Sequence, residues 1–218
     1  MRPAVALLLA VCVGYGLYKH ASERGTYEAP LSGMPAPAAP ALVATAVPVQ
    51  ENLPPMEAML RKDGFRITPL ARFNLTARVL SHRTYCCGGE DRLAPVDIAF
   101  GWGRMTRDAV LASLEISQGG RFYHYRWRGD PPIPPHEIAA SSANMHLIPS
   151  SPAIEKALRE ARVGQTVTLA GFLVRAENDR GFVWMSSLVR EDTGNGACEL
   201  IWVTDVEVRD AARGAGRI

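Results

Sequence analysis

The chain has little cysteine: four in 218 residues, at positions 12, 86, 87 and 198, too few for a disulfide-stapled scaffold. It also lacks an excess of charge of either sign. The 24 lysines and arginines against 22 aspartates and glutamates leave +2, which by itself points to no polyanionic partner. No phosphate-cradling glycine loop, nucleophile elbow or calcium-binding loop is present, so the commonest routes to nucleotide hydrolysis, ester cleavage and calcium sensing are unsupported. His136-Glu137 is not a zinc-protease motif, because Ala140 stands where the second histidine is required. Asp192-Thr193-Gly194 has no second copy to share a proton with, and it reads as a turn between strands. What remains is a globular composition, 47% hydrophobic and 21% charged.

Pro3–Tyr18 is an uncharged, mostly apolar run between Arg2 and Lys19. Neither a small-residue cleavage site nor a lipoprotein cysteine fits well, since Val11 precedes Cys12. Residues 1–24 are therefore expected to form an uncleaved signal anchor, a single transmembrane helix. Residues 25–55 are rich in proline and alanine, as in Met34-Pro35-Ala36-Pro37-Ala38-Ala39-Pro40, and behave as a semi-extended linker. A leader and spacer of this kind imply a single-pass protein of the bacterial inner membrane with residues 56–208 in the periplasm. The tail, 209–218, is rich in Arg, Ala and Gly and is expected to fray.

The folded part is organised around a C-terminal run of β-structure. Gln165–Val174, Phe182–Leu188 and Cys198–Val208 alternate apolar and polar residues, as strands with one buried face do. Arg72–Val79 alternates likewise, Val96–Phe100 is apolar except for Asp97, and Arg121–Arg128 returns as a strand. Helices are expected at 107–116 and from Pro152 after Ser151, with Met56–Lys62 as a short helical lead-in. The apolar parity of the strand containing Gly171 switches at that glycine, which predicts a bulge or sharp coil. Such coiling closes small barrels. The expected fold is α+β: a small, partly open antiparallel β-barrel, OB-like in pattern, with two short helices.

Candidate sites follow from polar residues without an obvious structural duty. His136, Glu137, Ser142, Asn144 and His146 crowd a proline-bounded loop, where they could bind a ligand, position a water or simply cap turns. Asp97 is the one acid isolated in an apolar strand. Arg121–Arg128 interleaves cations with Tyr123, Tyr125 and Trp127, which suits single-stranded nucleic acid or, more simply, a strand with its aromatics packed inward. The packed alternative is preferred, and nucleic acid is not expected as a partner. Cys198 could pair with Cys86 or Cys87 in an oxidising compartment. A zinc site using His82, Cys86, Cys87 and Cys198 is disfavoured by the adjacency of two cysteines. No metal or cofactor is expected.

Leu93-Ala94-Pro95-Val96-Asp97-Ile98-Ala99-Phe100-Gly101-Trp102-Gly103 and Ser142-Ala143-Asn144-Met145-His146-Leu147-Ile148-Pro149 resemble motifs of an uncharacterised bacterial family of membrane-anchored proteins, and Asp192–Val203 is similar too. The resemblance spans roughly residues 68–206, implies a localisation and no activity, and directs attention to Asp97, Trp102, Asn144 and His146. The Cys86-Cys87 pair lies outside it. The expected function is a membrane-anchored periplasmic binding or assembly domain, with a protein of the envelope or a small ligand as partner. The alternative is a hydrolase-type enzyme using His146, Asn144 and Asp97 or Glu137.

Overall fold

The computed structural model describes residues 46–58, 60–189 and 198–210, together with Ala44. The anchor, most of the linker, Asp192-Thr193-Gly194 and the end of the tail lie outside the described residues. Among those described, no helix is long and apolar enough to cross a membrane.

The domain is mostly β with a few short helices. Its strands are β1 (Val49–Asn52), β2 (Leu60–Lys62), β3 (Phe65–Thr84), β4 (Val96–Gly101), β5 (Glu115–Gly119), β6 (Phe122–Arg126), β7 (Ser142–Pro149), β8 (Thr166–Asn178), β9 (Val183–Met185) and β10 (Glu199–Arg209). The helices are α1 (Gly89–Leu93), α2 (Asp108–Leu111), α3 (Pro135–Ala140) and α4 (Pro152–Glu160), with a 3₁₀ turn at Gly103–Thr106.

Five strands close a ring in the order β3-β4-β7-β10-β8, completed by the pairing of β8 back onto β3. The ring is irregular rather than a clean barrel. β3 is long enough to run beside β8 over most of its length while its other edge meets β2, β1 and β4 in turn. Register breaks between Pro69 and Ala71 in β3 and between Val203 and Asp205 in β10 supply the extra bend. Pro69 sits where a missing donor is tolerated. The coil predicted at Gly171 is thus made by breaks in its two partner strands. The parity switch has its own cause: β8 is buried on both faces. Leu169 and Leu173 point into the ring core with Phe73, Ile98, Met145 and Ile201. Phe172, Val174 and Ala176 enter a second cluster outside the ring, with Phe65, Leu93, Leu200 and Trp202. Leu158 and Ala161 of the α4 region close one end of the ring core.

Several expectations need correction. The sheet is not wholly antiparallel, because β7 and β10 run parallel. Met56–Lys62 is no helix. Leu60–Lys62 pairs with Phe65–Ile67 across Asp63-Gly64, whose φ angles of 51° and 82° suit a two-residue hairpin turn. The helix expected at 107–116 is cut to Asp108–Leu111, since Glu115–Gly119 pairs with Phe122–Arg126. The proline-bounded loop that carries His136 to His146 holds α3 and an interior strand, β7. Four short helices therefore replace two. Val49–Asn52, within the segment read as linker, pairs with β3.

Lys62 is 1% exposed, and its Nζ donates to the Leu93 carbonyl at 2.9 Å and to that of Arg92, with the Asp63 carboxylate 3.2 Å away. Burial holds its pKa below the ordinary lysine value against the opposing pull of Asp63. A base with a depressed folded-state pKa penalises folding while it is charged, and the penalty fades as pH rises from the folded toward the unfolded value. Urea unfolding of wild type and Lys62→Met should therefore show wild type gaining on the variant as pH rises toward the ordinary lysine value of about 10. A difference that does not move with pH would contradict this.

Candidate functional site

The β5–β6 ribbon is a separate two-stranded sheet laid over the outer face of the ring. Its inward side chains, Tyr123, Tyr125 and Trp127, pack against a third cluster formed by Leu80, Ala99, Met105, Val110, Ile133 and Ile138. Burial pushes the Tyr123 hydroxyl up to about 12. The aromatics are therefore packed, while Phe122, His124, Arg126 and Arg128 face solvent.

The ribbon turns through Gly120 and Arg121, with φ of 58° and 69°. A two-residue turn of this hand normally has glycine second, because a side chain there is strained. Arginine in that place aims a guanidinium back at the ring. One terminal nitrogen (Nη1) donates to Asp97 Oδ1 at 2.8 Å and to the Ala94 carbonyl at 2.8 Å. The other (Nη2) donates to Asp91 Oδ1 at 2.7 Å. The group lies 3.8 Å over the Tyr85 ring and 5.4 Å from that of Trp184.

Asp97 on β4 and His146 on β7 are directly opposite across the strand pair. His146 Nδ1 is 2.9 Å from Asp97 Oδ1, yet the two are not aligned as a hydrogen bond, so Nδ1 counts among the buried atoms without a partner. Asp97 Oδ2 and the Tyr85 hydroxyl are also buried without a hydrogen bond. Burial, and then the nearby Asp97 charge, raise the Tyr85 pKa. The His146 ring is 4.8 Å from that of Trp184. Asn144, one pleat along β7, donates to the Arg121 carbonyl at 2.8 Å and accepts from Gln118 at 2.6 Å.

The ring thus brings together Asp97, Asn144 and His146 and leaves the other candidates elsewhere. Trp102 is a core residue, 3% exposed. Ser142 donates to the Ile138 carbonyl at 2.7 Å, a turn-closing bond. Glu137 is held by Arg104 in a paired ion bridge that keeps its carboxyl below the usual range. His136 is exposed beside it. Cys86 and Cys87 sit in the turn before α1, and neither forms a disulfide with Cys198. Among the described residues no group of three or more His, Cys, Asp or Glu is placed to hold a metal ion. His82, from the zinc alternative, instead contacts the Leu158 carbonyl at 3.0 Å.

Comparison with protein-family models, curated proteins and solved structures gives no match. Function must be argued from the cluster itself.

Sequence reading placed Arg121 in a strand, whereas it is a turn residue before β6, and missed Tyr85, Trp184, Asp91 and Gln118. The available signal was Gly119-Gly120-Arg121 between two strand-like runs, a two-residue turn carrying a cation. An open depression of about 490 Å³ lies on the ribbon instead, lined by Glu115, Ile116, Ser117, His124, Tyr125 and Arg126. None of the cluster lines it. The cluster has the more specific chemistry, and the depression is the cleft between exposed strand side chains.

Proposed function

We propose that this protein is a non-catalytic binding module tethered to the bacterial inner membrane, in the periplasm, with the Arg121 cluster as its ligand site. The apolar leader and the proline-rich spacer support the tether. The site reading rests on one observation. Asp97, His146 and Tyr85 converge on one buried patch beneath Arg121: His146 Nδ1 lies 2.9 Å from Asp97 Oδ1 without hydrogen-bond alignment, and Asp97 acts on the Tyr85 hydroxyl.

The ring is read as OB-like. Its second and third strands are β4 and β7, and Tyr85 and Trp184 come from the connections that follow the first and fourth strands. OB domains bind ligands on that face and with those loops. The analogy gives a place and no ligand. The ligand class follows from charge: one guanidinium faces two carboxylates, so a hydrogen-bond donor or cation is favoured and an anion repelled. The two aromatic rings suit a flat or apolar face on the same molecule.

The test is a thermal-shift screen of the full chain against small amines, polyols and sugars. Donor-rich compounds should raise the wild-type Tm by a few degrees through mass action. The gain should vanish in Trp184→Ala and His146→Ala while both variants still melt cooperatively. Stabilisation by inorganic phosphate alone would contradict the charge argument. The short Asp97–His146 contact favours a second reading, acid–base catalysis. Against it, His146 is 2% exposed. Turnover of activated esters that disappears in His146→Ala would transfer the assignment to an enzyme.

A further inference from the structure

Cys86 and Cys87 are both exposed, their Sγ atoms lie 2.8 Å apart, and Cys87 adopts φ 84°, a conformation rare outside glycine. Neighbouring cysteines with sulfurs this close can bond if the peptide between them distorts to close the ring. The pair is set inside the clamp on Arg121. Tyr85, on one side, has its amide on the Pro95 carbonyl at 2.9 Å and its ring 3.8 Å beneath the guanidinium. Gly88, on the other, donates its amide to Asp91 Oδ2 at 3.1 Å, while Asp91 Oδ1 holds Arg121. Cys198 is half-buried and lies just before β10.

We propose that Cys86 and Cys87 are a thiol–disulfide exchange site for low-molecular-weight disulfides, and that closing the bond between them shifts the Arg121 cluster. The first protein thiolate attacks one sulfur of the small disulfide, expels one thiolate and leaves a mixed disulfide. The neighbouring thiolate then attacks the protein-side sulfur and expels the second. The protein gives up two electrons and two protons, and the small disulfide leaves as two thiols. Adjacent Cα atoms are about 3.8 Å apart, closer than the usual disulfide span, so the closed ring is strained and readily reduced. That suits a switch and not a staple. The exchange chemistry stands without the binding-site reading; its consequence for the cluster rests on it.

The experiment treats the full chain with oxidised glutathione, blocks remaining thiols, and digests with trypsin. Arg83 and Arg92 bracket a peptide, residues 84–92, that contains both cysteines and neither Cys12 nor Cys198. It should emerge unblocked and lighter by two hydrogen atoms, and dithiothreitol should reverse this. Cys87→Ser should instead retain a glutathione adduct on Cys86. Doubly blocked thiols, stable glutathione adducts on wild type, or a crosslink to the Cys198 peptide would overturn the site. Oxidation should also move the Trp184 indole resonance, assigned through Trp184→Phe, in the ligand-free chain. A closed ring with that resonance unmoved would overturn the switch. Neither readout uses a ligand, so failure of the ligand screen is distinguishable from both.

Discussion

Replacing Gly171 by alanine is expected to cost about 3 kcal/mol or more and to leave little folded protein at physiological temperature. An ideal Cβ at this position lies 2.0 Å from the Trp202 carbonyl oxygen, 3.0 Å from its carbonyl carbon and 3.2 Å from the Val203 Cα. All three atoms are backbone, so no flexible side chain can swing aside. Ordinary overpacking of a core costs about 1–3 kcal/mol because side chains and loops share the strain. Here the strand that would have to retreat is pinned on both edges: Gly171 pairs with Phe73 of β3 and with Val203 of β10. Moving β8 away from β10 would open the ring at the joint that carries both flanking cores. Thermal and urea unfolding of Gly171→Ala against wild type checks this. Gly119→Ala is the control, since nothing lies within 4 Å of its Cβ and the change should stay within about 1 kcal/mol. A wild-type Tm for Gly171→Ala would refute the close approach.

The same glycine shows what could be read from the chain. Its odd-to-even change of apolar parity reads as a bulge within the strand, but β8 is buried on both faces and the register breaks lie in its partners β3 and β10. The middle of β3 and the second half of β10 were legible because a buried face alternates with a more exposed one, whereas β8, buried on both faces, was legible as an apolar run. β7 was not, and the reason is physical. Ala143, Met145 and Leu147 alternate inward, but the outward residues Ser142, Asn144 and His146 face the ribbon and its polar cluster instead of water. A strand whose polar face is chemically loaded looks like a loop. Asp63-Gly64 was a legible hairpin signal lost under the helical reading of the residues before it. For the site, Asp97, Asn144 and His146 could be picked out one by one. Arg121, which meets Asp97 through its guanidinium and Asn144 through its carbonyl, could not, because it reaches Asp97 only after a ribbon folds back across 24 positions of sequence. The two aromatic walls, Tyr85 and Trp184, come from connections on opposite sides of that ribbon in the chain.

Arg121 is accordingly the residue whose loss should separate the cluster's role in folding from its role in recognition. Arg121→Met should destabilise the domain by about 3–5 kcal/mol, the usual cost of leaving one buried partner of an ion pair uncompensated. Asp97 is 0% exposed, and among the described residues its ion-pair partners are Arg121 and His146, whereas Asp91 keeps a side chain 25% exposed and can turn to water. Most of the penalty should therefore sit on Asp97. Arg121→Met combined with Asp97→Asn should recover part of it, with a coupling above about 1 kcal/mol in a double-mutant cycle. Arg121→Gly adds a second contrast, because glycine relieves the left-handed backbone at φ 69° while removing the same charge. If it is more stable than Arg121→Met by about 1 kcal/mol, the native chain tolerates backbone strain to keep the guanidinium over Asp97. Equal stabilities, with energies that simply add across the cycle, would mean that the guanidinium contributes little beyond its reach across the surface. Urea unfolding of the five chains (wild type, Arg121→Met, Asp97→Asn, their double and Arg121→Gly) decides between these outcomes.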